Sequence, residues 1–288
     1  MSYLILCDSG TDFTKELKEK EEVIKIPLTL RLGDEDFVDD DNLDALDFLQ
    51  KMKNYPDTPK SACPSPEDYM KHFDKADEIF IITISSKLSA SYNSAKIAID
   101  MYHEEHGKNK VYLIDSKGAA ASQALLAHKI IELKEAGHGF EDTIKEVEKL
   151  NAKKQTIFVL ETLENLRKNG RLTGIKAFIA EALNIKPVMT TDGEGNIIKA
   201  DQARGINKAC SILADLTVKH AEKTGSKALV ISHCNCPERA EKIKAMIEEK
   251  YKFDRVDIVM TGGIATLYAA EGGIIIGCYF ALCYDFAK

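Results

Sequence analysis

Ten residues, Ser85-Ser86-Lys87-Leu88-Ser89-Ala90-Ser91-Tyr92-Asn93-Ser94, hold five serines and an asparagine directly after the apolar run Ile79–Ile84. Hydroxyls beside the free N–H groups of a helix start suit an oxyanion, because that end of a helix carries partial positive charge. Serine is also a leading helix cap, so any single serine here has an ordinary structural reading. The cluster as a whole reads as an oxyanion-binding turn. A second group is Ser61-Ala62-Cys63-Pro64-Ser65-Pro66-Glu67-Asp68. Ser65, Pro66 and the acids behind them make a good helix start. Ser61 precedes the cap and is left without a structural task, so its hydroxyl is free for a ligand. A third is Asp8-Ser9-Gly10-Thr11-Asp12, which lacks the lysine of a P-loop and the three glycines of a dinucleotide fingerprint. Its two aspartates would repel a phosphate unless Mg²⁺ intervened, which favours a capped turn that buttresses a neighbouring site.

Other chemistry finds less support. There is no Gly-x-Ser-x-Gly elbow, and no histidine pair of the metalloprotease pattern. His233-Cys234-Asn235-Cys236 lacks a second ligand pair at zinc spacing, so no metal is expected. The informative cations are Arg171 and Arg204, each after a turn residue or at a strand end, where a side chain can reach a cleft. The ordinary reading of either is a surface ion pair of small energy.

The elements that must position these groups alternate. Strands are expected at Tyr3–Leu6, Val23–Leu30 (with Pro27 marking an edge or bulge), Ile79–Ile84 and Val111–Ile114. Helices are expected after Asp12, at Leu43–Met52 and at Ala119–Ala136, and Asn54–Pro66 reads as a loop. This alternation implies βαβ units and a mostly parallel, Rossmann-like sheet. Beyond residue 155 the rhythm changes. Lys186–Thr190 and Asn196–Gln202 flank Asp192-Gly193-Glu194-Gly195 as a hairpin, among strands at Thr156–Leu160, Ala228–Ser232, Arg255–Met260 and Gly272–Leu282. A mixed sheet follows. The expectation is an α/β protein of two domains, 1–155 and 156–288, the second built on the mixed sheet.

Composition bounds the function classes. The 288 residues are 44% hydrophobic and 30% charged, with a formal charge of −7, so a basic nucleic-acid surface is not expected. Seven cysteines without an export signal predict reduced thiols and a cytoplasmic location. The longest apolar run, Ile274 to Cys283, is far short of the roughly 20 residues of a membrane span.

The motifs occur in a fixed order: Asp8-Ser9, the Ser61–Ser65 segment with Pro64, Ile84-Ser85-Ser86-x-Leu88-Ser89-x-Ser91-Tyr92-x-Ser94-Ala95, and Asp115-Ser116. Then come Leu163-x-x-Leu166-x-x-x-Gly170-Arg171, Asn184-Ile185-Lys186-Pro187, and Arg204 before Lys208-Ala209. In this the chain resembles, over its whole length, the DegV family of bacterial fatty-acid-binding proteins, which includes the lipid-carrying subunit of fatty acid kinase. The resemblance implies two α/β domains with one long-chain fatty acid between them. It implies a carboxylate held by the hydroxyls of Ser61 and Ser89 and the amides at Ala90 and Ser91, with no catalytic residue, metal or other cofactor. It implies acyl-phosphate formation by a separate kinase subunit, with Arg204 and Arg171 facing that partner. A monomer, with no nucleic acid and transient membrane-surface contact, completes the expectation. The chain departs from the family pattern at Ser61, Cys63 and Ala90, where threonine, a polar residue and glycine are common. Tyr268-Ala269-Ala270-Glu271-Gly272 stands where the family often has His-x-Gly-Pro-Gly, which puts Tyr268 in the expected ligand set. Glu271 facing the head group would repel an anion. Two alternatives stay open: a lipid sensor or carrier without a kinase, and an enzyme acting on a small phosphorylated or carboxylated metabolite. Leu28, Leu30, Phe158, Leu160, Ile264 and Leu267 are candidates to line the tunnel, with ordinary core packing the better reading for each taken singly.

Overall fold

The computed structural model describes residues 2–107, 110–172 and 184–280. Strands β1 (Tyr3–Asp8), β2 (Val23–Ile26), β6 (Glu78–Thr83) and β7 (Lys110–Asp115) form a parallel sheet in the order β2-β1-β6-β7. Every residue of β6 is buried, the apolar run Ile79–Ile82 together with the flanking Glu78 and Thr83. A small antiparallel sheet, β4-β3-β5, joins β3 (Thr29–Leu32), β4 (Glu35–Val38) and β5 (Lys60–Ala62). The six-stranded sheet runs β10-β9-β8-β13-β11-β12. Its members are β8 (Gln155–Val159), β9 (Ile185–Thr191), β10 (Ile197–Arg204), β11 (Ser226–His233), β12 (Arg255–Met260) and β13 (Ile274–Phe280). Only β11 and β12 pair in parallel, so this sheet is mixed. The last two residues of the expected strand Gly272–Leu282 lie outside the described residues.

The helices are α1 (Lys15–Glu19), α2 (Ala45–Asn54), α3 (Pro66–Met70), α4 (Ser91–His106), α5 (Ala121–Glu135), α6 (Phe140–Asn151), α7 (Glu164–Lys168), α8 (Ile206–Thr224), α9 (Pro237–Glu248) and α10 (Gly263–Ala269). The expected start at Ser65 is a full capping box, with Ser65 and Asp68 each bonding the other's backbone. Helix α5 is buried nearly all round, as an alanine-rich helix without a polar face must be. It packs on β1 and β6 on one side and on β11 and β13 on the other, so it joins the two sheets. Gly277 allows this: a Cβ there would lie 2.8 Å from the Ser122 amide nitrogen.

Three expectations need correction. The segment Val23–Leu30 is two strands, since Pro27 has no N–H for a ladder: β2 is an edge strand of the parallel sheet, and β3 leaves for the small sheet. The loop Asn54–Pro66 contains β5, in which Ser61 pairs with Leu30. Lys-Ser-Ala carries no apolar alternation, so its pairing is invisible in the sequence. Helices α6 and α10 are additional elements that the sequence reading did not separate from their surroundings.

Candidate functional site

Strand order places a crevice at the carboxyl ends of β1 and β6. The chain leaves β1 toward β2 and leaves β6 toward β7, on opposite sides, and such a switch point is where open α/β sheets hold ligands. A cavity opens there. Its walls include Gly10 after β1, Ile84, Leu88 and Ser89 after β6, and Gly118–Ala120 before α5. Facing them, Thr156 and Phe158 alternate along β8 and Leu160 follows its end, while Ile264, Ala265, Tyr268 and Ala269 come from α10. The empty space of the cavity, with the open solvent at its mouth included, is about 790 Å³. Its lining is predominantly apolar. Of the six tunnel residues expected, Leu28, Phe158, Leu160 and Ile264 line it, whereas Leu30 and Leu267 are buried in the packing behind it.

Polar groups gather at one end. The Ser61 hydroxyl and the Tyr268 hydroxyl lie 3.1 Å apart and share a hydrogen bond. The Arg171 guanidinium stands over the Tyr268 ring at 5.8 Å, and its Nε donates to the Leu88 carbonyl at 3.1 Å. Arg171, expected to face a partner, is half-buried and lines this cavity. Next to Leu88, the Ser89 and Ser91 hydroxyls are 2.9 Å apart, and the Ser91 amide donates to Ser89 Oγ at 3.2 Å. Ala90 caps α4 without a side-chain bond, so the positive end of a 16-residue helix is directed at this cluster. Ser61, Ser89 and Tyr268 thus line one cavity, with Ser91 buried behind Ser89 and Ala90 exposed beside it.

Arg204 lies elsewhere. It is exposed at the end of β10 and lines a shallow basic depression with Lys186, Lys208 and the start of α8. Glu271 turns away from the cavity: it pairs with Lys53 at 2.5 Å and accepts from Asn235 at 2.9 Å, and these partners lower its pKa. The carboxylate that replaces the family motif therefore does not oppose an anion in the site.

The Asp8–Asp12 turn is a buttress. The Asp8 carboxylate accepts from the Ile84 amide at 2.7 Å, Gln123 Nε2 at 2.9 Å and the Gly10 amide at 3.2 Å. The nearby Ser91 hydroxyl also favours its charged form. Ser9 Oγ accepts from the Leu28 amide at 3.0 Å, and Asp12 accepts from the Gly262 amide at 2.8 Å. Backbone strain collects around the site: Lys117, Ala120 and Ala270 have φ of 48°, 56° and 52°. Such left-handed non-glycine residues cost about 1–3 kcal/mol each and persist where the surroundings enforce them.

A family model described as "Uncharacterised protein, DegV family" matches residues 2–280. The chain belongs to the DegV family. It is 34% identical over 279 residues to a DegV domain-containing protein of Streptococcus gordonii, across 96% of this chain and 99% of that one. Among solved structures it resembles a DegV-family protein of Ruminococcus gnavus refined with vaccenic acid, at 39% identity and a TM-score of 0.93, covering 96% of this chain and 99% of that one. It also resembles the Fatty Acid Kinase B3 protein of Streptococcus pneumoniae loaded with linoleic acid, at 31% identity and a TM-score of 0.90, covering 98% of this chain and all of that one. The two-domain α/β architecture, one sheet parallel and one mixed, is the DegV fold. The sequence singled out Arg171 and Asp8 in this DegV chain, but not the contacts that bring them to the site. Arg171 follows a positive-φ glycine, Gly170, which turns the chain back toward Leu88. Asp8 acts behind Ser91, through a contact no local spacing reports.

Proposed function

We propose that the chain binds one long-chain fatty acid in this cavity and presents it to a separate kinase subunit. The observation that carries the reading is an apolar cavity with Ser61, Ser89, Arg171 and Tyr268 gathered at one end. Burying a tail there contributes about 0.8 kcal/mol per methylene, so the chain supplies most of the affinity. The hydroxyls of Ser61, Ser89 and Tyr268 and the helix start at Ala90–Ser91 orient the carboxylate, and Arg171 supplies the opposite charge. The chain itself carries lipid and catalyses nothing. Phosphoryl transfer to give an acyl phosphate belongs to the partner, which meets the surface around Arg204. An enzyme acting on a small phosphorylated metabolite would need a polar interior, and these walls are apolar.

Native mass spectrometry followed by lipid extraction tests the reading. One equivalent of copurified long-chain fatty acid is expected, and weaker retention of it when Ser61→Ala and Ser89→Ala are combined. A protein that is empty and takes up no added fatty acid would overturn it. Arg204→Ala separates the kinase subunit from a sensor or carrier: lipid loading should stay unchanged while phosphorylation by a partner kinase is lost.

A further inference from the structure

Residues 163–171 touch each of the three elements that bring hydroxyls to the head-group cluster. Helix α7 ends in a Schellman turn. The Gly170 amide donates to the Arg167 carbonyl at 3.0 Å, the Arg171 amide donates to the Leu166 carbonyl at 2.8 Å, and Gly170 has φ of 75°. The turn sends Arg171 back to the Leu88 carbonyl, which accepts from its Nε at 3.1 Å and directly precedes Ser89.

Two asparagines make the other connections. Asn165 and Asn169 are one helical turn apart and share a face of the chain there. Asn165 Nδ2 donates to the Leu267 carbonyl at 2.7 Å, one residue before Tyr268. Leu267 lies in the last turn of α10, where a helix leaves its carbonyls without partners of its own. Asn169 Nδ2 donates to the Pro59 carbonyl at 3.1 Å, two residues before Ser61, and to the Asn165 carbonyl at 2.9 Å. Every acceptor is a carbonyl oxygen, so the amide nitrogen must face it. Both asparagines are half-buried, and neither lines the cavity. They therefore hold the backbone beside Tyr268 and beside Ser61 from one short segment. Those two hydroxyls meet at 3.1 Å although they stand 207 positions apart.

We infer that Asn165 and Asn169 are positioning residues of the carboxylate site, which set the Tyr268 and Ser61 hydroxyls on one oxyanion by holding the backbone next to each. This rests on the fatty-acid reading of the same cavity. Hydrogen bonds to a head group weaken steeply when a donor is misplaced. Burial of the tail is non-directional and follows the apolar area, to which neither amide contributes. Loss of either amide should therefore weaken recognition of the head group and spare the tail.

Displacement of a bound fluorescent fatty acid by tetradecanoic acid and by tetradecan-1-ol provides the test, because the two share a tail and differ in the head group. The full chain is compared with Asn165→Ala and with Asn169→Ala. The wild type should prefer the acid. The ratio of acid affinity to alcohol affinity should fall about tenfold in each variant, an effect of about 1.4 kcal/mol, while the affinity for the alcohol changes by less than about twofold. Differences between the ligands in water cancel in this comparison. Equal losses for acid and alcohol would mean that the asparagines hold the fold and not the carboxylate site. That result, or unchanged affinities for both, would overturn the inference and leave fatty-acid binding intact. Failure of the acid to displace the probe from the wild type would instead remove the fatty-acid reading and this inference together. Should an alanine variant not fold, the leucine variant at the same position, close in volume to asparagine and without a donor, takes its place in the same comparison.

Discussion

Asp8 and Asp12 flank one turn and are both fully buried, yet they are served differently. Asp8 receives three nitrogen donors, and burial still raises its pKa to about 6. Asp12 receives one backbone N–H, while its Oδ2 is unpartnered and burial raises its pKa to about 7. The Ser232 hydroxyl lies close by and is itself without a hydrogen bond of ordinary length. In the unfolded chain an aspartate titrates near 3.9. The folded state therefore holds a proton on Asp12 that the unfolded state releases between about pH 4 and 7. Its favourable contribution is complete below that window and is lost as pH rises through about 7. Asp12→Asn keeps the acceptor for Gly262, gives Ser232 a donor, and removes the titration. Urea unfolding should show the variant more stable than wild type by about 1–3 kcal/mol at pH 8, with the gain shrinking toward pH 5. A gain that is the same at both pH values would mean Asp12 is not the titrating group.

At the level of elements, the β9–β10 hairpin is docked by its tip. The Gly195 carbonyl accepts from Ser85 Oγ at 2.9 Å, which ties the six-stranded sheet to the serine-rich turn after β6. Gly195 has φ of 90°, and a Cβ there would lie 2.3 Å from Ser85 Oγ and 2.9 Å from the Lys117 backbone. Gly193, two residues earlier in the same turn, has nothing within 4 Å. Gly195→Ala should cost about 1–3 kcal/mol in thermal unfolding and weaken fatty-acid binding, because the turn it displaces carries Ser89. Gly193→Ala should be close to neutral in both assays. Equal effects of the two substitutions would show that docking of the tip does not matter. The hairpin itself was readable from Asp192-Gly193-Glu194-Gly195. Its docking was not, because the contact with Ser85 spans 110 positions.

At the scale of the molecule, Asp39 joins distant parts of the chain. It follows β4, is 3% exposed, and its two oxygens accept from the amides of Gly263 and Ile264 at 2.9 and 2.8 Å. The small sheet is thereby fastened to α10, the helix that carries Tyr268 into the cavity. Asp39→Ala leaves both amides unpaired in a buried site. A stability loss of about 2–4 kcal/mol is expected, together with weaker fatty-acid binding, although Asp39 does not line the cavity. Unchanged affinity in the folded variant would mean that α10 is held by its packing on α2, α7 and β3 alone.

Local patterns sufficed for much of this protein. The apolar run of β6, the alanine-rich α5, the Ser65–Pro66 helix start and the rhythm change near residue 155 each follow from neighbouring residue types, because caps, turns and burial periodicity act over a few positions. The serine-rich turn stood out as a cluster of hydroxyls at a helix start, and Ser61 as a hydroxyl without a local structural task. Tertiary structure alone decided what those hydroxyls meet. Ser61 shares a bond with Tyr268 across 207 positions, and Arg171 reaches Leu88 across 83. It also turned Glu271 toward Lys53 rather than the cavity. These outcomes depend on which side chains two sheets bring face to face, and no periodicity along the chain encodes that meeting.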